Sequence, residues 1–591
     1  MAPLSIFHSG PSTAGKSGAL KASKIERAAA LLLHSIFRED RFFLILSVFI
    51  GIFSGLAVVC FHFAIDWCRI YLLGTGAQPA TWRLILVPTL AGLLIAVLVI
   101  HVFPLARGSG VNQTKAALFI YNGYIPLRTA VGKFITSALA IGSGFSLGPE
   151  DPSLQIGACL ASALGRWLHL SRERMRLIAP VGAAAGLAAA FNAPISAVLF
   201  VIEEVIGRWT AGILGSVVLS AVSSVVVMRW FLGSDPLFRI PAVELLRPSE
   251  LIAYSVLGIV GGLASAVLAS GIGFLRPRCR ELPLWTQYLQ PAVAGLLIGC
   301  IAALGAPQVM GAGYVYMDDA MHGQFTWQFL AILGLLKIVA TMLSFASGTP
   351  GGIFAPTLFI GAMFGAAVGG AEHMLLPHLT GSPGTYALVG MGVLFAGFLR
   401  VPMTSVFMVL EVSGNYSIIV PVIVANTFAY VISRTIHPTA IFDMLTRQDG
   451  LELPSMEEQR EESILRIEDA MQPPADPVLD VEDLPDWTSR LVHHKIPNVL
   501  LVRLPSGGWS SVTREEIEML IGRDPQGQTL RSVLAGRPVP CLHPDQPLEM
   551  ALRYVDRWPL VPVVNRANFS KLEGVITQED VLERYRDSEG N

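Results

Sequence analysis

Long apolar runs, broken by short glycine- and proline-rich stretches, fill the chain from about residue 42 to about 433. Residues 42–67, 83–103 and 126–141 read as spanning or nearly spanning helices, while 153–168, 176–191 and 193–206 are shorter and broken by Gly or Pro. The series continues with 210–232, 249–275, 287–304, 326–346, 356–370, 384–398, 402–414 and 418–433. Several fall below the roughly 20 residues that an α-helix needs to cross a bilayer. Short interrupted segments are the mark of transporters that build a site from broken helices near the midplane. After Arg447 the pattern changes. Charged residues and prolines become common, and apolar runs shrink to strand length.

Both parts contain repeats. Ser143-Gly144, with 152–158 (PSLQIGA) eight residues later, matches Ser347-Gly348 and 356–362 (PTLFIGA), an offset of 204. Residues 193–203 (APISAVLFVIE) parallel 401–411 (VPMTSVFMVLE) at an offset of 208. Two blocks in one order at nearly one spacing predict a duplicated, inverted membrane half. The alignment pairs Glu150 with Phe354 and Glu203 with Glu411. In the C-terminal part, 483–486 (DLPD) and 545–548 (DQPL) each start a helical stretch. Each is followed by an apolar strand, 498–502 and 559–564, and then by a strand-turn-helix, 511–517 and 575–581. Two βαβ-like copies predict one α/β module. The expected divisions are a disordered cytosolic tail at 1–24, a membrane domain at 25–447, a linker at 448–464 and the module at 465–591, with copies at 465–532 and 533–591.

Composition supports this division. Charged residues make up 15% of the chain, well below the ~25% of soluble domains. A net charge of −2 argues against nucleic acid as a partner. Lys16, Lys21, Lys24 and Arg27 precede the first long apolar run, so the positive-inside rule puts the N-terminus in the cytoplasm. The six cysteines form no CxxC pair and suggest neither a zinc site nor a disulfide framework. No enzyme is expected: there is no HExxH, and no nucleophile elbow is foreseen. Too few acids lie in the apolar runs for a cation carrier.

The chemistry concentrates in 142–158, GSGFSLGPEDPSLQIGA. Glu150 sits where a glycine-rich turn runs into a helix start, and a carboxylate in a membrane is a functional-site hypothesis by default. Backbone N–H groups at a helix N-terminus favour anions. Three loops are expected to converge: Gly108-Ser109-Gly110 after Arg107, Gly148 to Pro152, and Gly351 to Pro356. In the last two, proline at the first helical position would make Asp151 or Ala355 the N-cap. Free N–H groups and the Ser109 hydroxyl would replace the water around a halide. Glu150 would then fill the anion site and leave it, coupling anion to proton occupancy.

GSG at 108–110, GSGFSLGPEDP at 142–152, AAAFNAPISAVLFVIEE at 188–204 and GGIFAP at 351–356 resemble the CLC family of chloride channels and proton-coupled chloride antiporters. The likeness covers roughly residues 25–447. It implies a homodimer with one pathway per subunit, in a bacterial inner membrane with both termini cytoplasmic. It implies that Ser109, Gly110, the amides of Ile353 and Phe354, and a hydroxyl near the final helix hold the anion. It further implies that Glu150 is the external gate, Glu204 the internal proton relay and Lys133 a basic residue under the filter. Glu203 is expected to be a helix-end acid facing water.

The sequence departs from the family pattern at tuning positions. Pro149 replaces a basic residue and removes an N–H, and Asp151 replaces a glycine. Asn112 stands where many members have proline. Phe442 matches the anion-coordinating tyrosine but has no hydroxyl, so the central site should be weaker or use another donor. Fluoride- or nitrate-preferring relatives and a passive channel stay open as alternatives. The C-terminal repeat resembles a pair of CBS domains, which implies an adenine nucleotide near Thr513, Thr577 and Asp580; the first copy has Glu516 in place of the aspartate. No other cofactor is expected.

Overall fold

The computed structural model describes residues 39–74, 80–207, 211–234, 238, 250–375, 381–451, 453, 465–473, 479–480, 499–504, 508–523, 538–566 and 568–589. The expected tail at 1–24 and the DLPD start at 483–486 lie outside the described residues. The chain divides into two compact units, one ending at Leu453 and the other beginning at Pro454.

Among the described residues, the first unit is built from two runs of eight helices. The first run is α1 (Glu39–Leu73), α2 (Thr81–Val97), α3 (Gly110–Phe119), α4 (Leu127–Gly142), α5 (Glu150–Trp167), α6 (Arg172–Phe191), α7 (Pro194–Phe200) and α8 (Ala211–Leu232). The second is α9 (Glu250–Glu281), α10 (Gln290–Ala303), α11 (Tyr314–Met321), α12 (Trp327–Ala346), α13 (Phe354–Leu375), α14 (Pro383–Leu394), α15 (Pro402–Ser413) and α16 (Ile419–Ile436). A last helix, α17 (Ile441–Gln448), follows. Each predicted apolar run falls on one of these helices. Two short helices, α3 and α11, have no predicted counterpart, and α17 is the final helix expected at Phe442. Among the described residues, eight helices are long and apolar enough to cross a membrane.

Packing follows the repeat. In both runs the fifth helix packs on the sixth and the first on the eighth, so α5 meets α6 as α13 meets α14, and α1 meets α8 as α9 meets α16. Glycines set the first of these crossings. A Cβ on Gly157 would collide with the Gly182 carbonyl, and one on Gly361 with that of Gly390. Small residues let helix backbones approach closely where lipid supplies no hydrophobic drive. Most of the interior is one apolar cluster running through all the long helices, with a small separate cluster at Val58, Val59, Ala189, Ala190 and Met228. Large apolar side chains such as Leu90, Val226 and Trp230 stay exposed, as a lipid-facing surface requires.

The second unit holds β1 (Leu479–Asp480), β2 (Val499–Arg503) and β3 (Trp509–Thr513), then β4 (Val561–Val564) and β5 (Leu572–Ile576). β1 pairs with β2 in parallel, and β2 with β3 antiparallel. In the second copy β4 pairs antiparallel with β5, and Leu542 bridges Val563 in parallel. Each copy therefore combines one parallel crossover with one antiparallel pair.

Candidate functional site

The two halves meet at Gly148 and Gly352. Each donates its N–H to the other's carbonyl, both at 2.8 Å, a reciprocal antiparallel pair on the axis between the repeats. Helix α5 begins two residues later. Sequence rules put Asp151 and Ala355 at the N-caps, but the helices start two residues earlier than that predicts, at Glu150 and Phe354. Pro152 and Pro356 therefore fall in the first turn, where no intrahelical N–H bond is lost.

Glu150 is fully buried and turns toward the second half. Its Oε2 accepts from the Ala355 N–H at 3.3 Å, and its Oε1 from the Tyr314 hydroxyl. The first donor is a backbone amide in the first turn of α13, and the second is the side chain of the residue that opens α11. A Cβ on Gly148 would collide with Glu150 Oε2, so glycine is what leaves room for the carboxylate.

Asp151, 1% exposed, turns the opposite way. One oxygen accepts from Ser109 Oγ at 3.1 Å and the Val111 N–H at 2.9 Å; the other accepts from the Gly110 N–H at 3.0 Å. The expectation that Asp151 caps its own helix is thus corrected: it caps α3, about forty residues away. A carboxylate there gains charge-assisted hydrogen bonds and the favourable end of the helix dipole. The three expected loops do converge, joined by these bonds.

Lys133 lies under the first loop. Its Nζ donates to the carbonyls of Gly108 at 2.6 Å and Ala106 at 3.2 Å. Lys337, its counterpart 204 residues on, donates to Gly311 at 2.7 Å and Val309 at 2.9 Å. The wall near Ile353 and Phe354 is aromatic. The Phe354 ring lies 5.1 Å from Phe200, 5.7 Å from Phe395 and 6.1 Å from Phe442. Phe442 contributes a backbone carbonyl instead of a hydroxyl, accepting from Asn112 Nδ2 at 3.1 Å. Pro149 precedes α5 as its N-cap.

Glu204 is buried, and its Oε1 accepts from Lys115 Nζ at 2.7 Å; Lys115 also reaches Asp443 at 3.3 Å. Glu203 does not simply face water. It is half-buried and accepts from the N–H of Thr404 at 3.0 Å and its hydroxyl at 2.8 Å, which caps α15. Glu411 returns the contact, accepting from Ile195 N, Ser196 N and Ser196 Oγ at the start of α7. Beside Gly108, a small open cavity is lined by Arg107, Arg276, Arg280, Phe345, Gly348 and Thr349, among others. Asp449 binds Arg276 at 2.8 Å and Arg280 at 2.5 Å.

Sequence reasoning missed Tyr314, Lys115, Lys337 and Asp443. The repeat offset alone could have found Lys337. It also passed over 144–148, GFSLG, which has the spacing of a nucleophile elbow. Ser146 is buried, with its hydroxyl on Thr341 and its amide on Ser344, so it fills a structural role. In the second unit, Thr577 and Asp580 bond each other: Asp580 Oδ2 accepts from Thr577 N at 2.8 Å and Oγ1 at 2.6 Å. In the first copy Glu516 Oε2 accepts from the Thr513 N–H and Thr513 Oγ1 accepts from the Glu516 N–H, both at 3.3 Å. Both pairs are capping boxes at helix starts.

Comparison with known proteins gives the family and the fold. The family model described as voltage gated chloride channel matches residues 91–434, and the CBS domain model matches 530–587. A ClcB-like chloride channel protein of Ralstonia nicotianae is 32% identical over 419 residues, covering 68% of this chain and 97% of that protein. The H⁺/Cl⁻ exchange transporter ClcA of Salmonella paratyphi B is 32% identical over 426 residues, covering 69% and 89%. The crystal structure of a slow cyanobacterial Cl⁻/H⁺ antiporter superposes with a TM-score of 0.63 at 24% identity, covering 69% of this chain and 97% of that one.

Proposed function

The chain belongs to the voltage-gated chloride channel (CLC) family, and from that premise we propose that it moves chloride or a similar small anion across a membrane in exchange for protons. The observation that carries this reading is Glu150. It is a buried carboxylate held by a helix N-terminal amide and a tyrosine hydroxyl of the opposite half. Those donors suit a halide as well as they suit a carboxylate. When a halide takes them, the displaced acid takes up a proton, and when the proton leaves, the acid competes again. Anion and proton occupancy are then linked through one site.

In this reading Ser109, Gly110 and the amides of Ile353 and Phe354 line the anion path, and Lys133 supports the first loop from below. Glu204 relays protons on the inner side, its carboxylate held in place by Lys115. Asn112, Pro149 and Asp151 tune the filter. The cavity lined by Arg107, Arg276 and Arg280 would gather anions beside Gly108. Family membership supports a homodimer in a bacterial inner membrane, and the basic N-terminal stretch supports cytoplasmic termini. For the C-terminal module, an adenine nucleotide near Thr577 and Asp580 is supported by the CBS match over 530–587, and Thr513 would join it only through the internal repeat. Such a ligand would share Thr577 with Asp580.

One observation favours a passive channel instead: Phe442 offers no hydroxyl, and a weaker central site loosens coupling. The test is anion flux from liposomes with simultaneous pH recording. Wild type should move protons against anions, and Glu150→Gln should keep anion flux while proton flux falls to the leak of empty vesicles. Unchanged coupling in that variant removes Glu150 from the mechanism. A wild-type zero-current voltage that ignores pH selects the channel.

A further inference from the structure

We propose that Asp151 is a second tethered carboxylate seated in the anion path, at Ser109, Gly110 and Val111, and that a permeating anion must displace it as well as Glu150. This rests on the reading of Ser109 as an anion ligand.

The geometry is that of an occupied anion seat. Two consecutive N–H groups at the start of α3 and the hydroxyl of its N-cap residue point at one carboxylate, within 2.9–3.1 Å. Ser109 makes no capping bond to its own helix. Its hydroxyl is turned outward to Asp151. A ten-residue helix capped from outside by an acid on another helix presents the donors that a halide would use. Adjacent residues of α5 thus fill seats on opposite sides of the axis, Glu150 at the second half and Asp151 at the first. The counterpart of Asp151 in the repeat is Ala355, a methyl group, so this filling belongs to the first half alone.

A second feature points into the same place. Gln155, one turn along α5, is fully buried, and its Oε1 has no hydrogen-bond partner among the described residues. That oxygen lies 3.1 Å from where a Gly110 Cβ would be. It is an acceptor waiting beside the seat, suited to a protonated Asp151 that has an O–H to give. The charged groups that bear on Asp151 are Lys133, from α4, and Glu150 beside it. The first supports a negative occupant of the seat, and the second resists two at once.

A tethered acid competes with free halide at an effective concentration set by its tether. Removing it should expose the seat. The experiment uses the full chain, with chloride titrated calorimetrically in detergent and chloride and proton fluxes recorded in liposomes. Asp151→Gly should tighten chloride binding about tenfold, the size of one charge-assisted bond lost by a competitor. It should also raise chloride flux, with proton coupling kept by Glu150. Asp151→Asn, which keeps the shape and loses the charge, should move both in the same direction by less. Added chloride should raise the melting temperature of either variant more than that of wild type.

If Asp151 is only a cap, both variants melt lower and neither gains chloride affinity, flux or chloride-dependent stability; that result overturns the proposal. Should Asp151→Gly fail to fold, the near-isosteric Asn variant decides alone. The two readings fail separately. If Glu150→Gln stays proton-coupled, the transport mechanism falls. If Glu150→Gln uncouples and both Asp151 variants are inert, only the second seat falls.

Discussion

The two halves of the membrane unit share a frame and differ in chemistry. The frame is reciprocal. Lys133 holds the Ala106 and Gly108 carbonyls as Lys337 holds those of Val309 and Gly311. Gly148 and Gly352 exchange N–H bonds, and Glu203 and Glu411 cap each other's short helices. The chemistry is one-sided. The first half supplies Glu150, Asp151 and Glu204, all buried, where the aligned second-half positions 354, 355 and 412 hold Phe, Ala and Val. Duplication has kept the bonds that position the loops and let the groups between them diverge. An anion threading the axis would meet acids from one side and mostly donors from the other.

Substituting the two lysines gives the largest expected effect and tests the frame directly. Lys133→Met and Lys337→Met should each destabilise the chain by about 2–6 kcal/mol, because each strands two carbonyls at about 1–3 kcal/mol apiece. Thermal unfolding in detergent measures this. Halide affinity should separate them. It should fall in Lys133→Met, whose charge supports the seat at Ser109, and hold in Lys337→Met, whose ammonium lies 4.5 Å over the Phe359 ring. Equal losses of affinity would erase the asymmetry.

Hydropathy made the long helices legible because lipid leaves an apolar run little choice but to be helical. It missed α3 because Asn112, Gln113, Thr114 and Lys115 leave no such run. A helix buried in protein rather than lipid needs none. The repeat offset made the meeting of the loops legible, and with it the place of Glu150. The partner of Asp151 was not legible. Local rules assign an acid in a first turn to its own cap, and only the fold brings Ser109–Val111 within reach across forty residues. Glu203 was misread for the same reason, since its helix partner lies about two hundred residues away. Lys115 carries no sequence signal for Glu204; polar α3 and the apolar turn that follows α7 must fold together before that pair exists.

A middle-sized effect comes from the aromatic wall. Phe442→Tyr places a hydroxyl on the ring that lies 6.1 Å from Phe354. If the anion passes the amides of Ile353 and Phe354, a hydroxyl donor to a charged ligand should tighten chloride binding by about tenfold. Calorimetry on the variant measures it. No gain would mean that the anion avoids this wall, leaving the first-half seat as the main site and making the two halves more unequal than the rings suggest.

The smallest effect tests the exchanged caps. Glu203→Ala and Glu411→Ala should each cost about 0.5–2 kcal/mol, the usual value of a lost helix cap. Glu411→Ala should sit at the upper end, since Glu411 accepts three bonds and Glu203 two from Thr404. Neither acid takes part in the proposed proton route, so both variants should keep wild-type proton-to-anion coupling in liposomes, whereas Glu204→Ala should lose it. This contrast is sharp because Glu203 and Glu204 are neighbours in one turn. If Glu203→Ala uncouples transport while Glu411→Ala does not, the relay begins one residue earlier than proposed. The exchanged caps would then belong to the chemistry that has diverged rather than to the frame that has not.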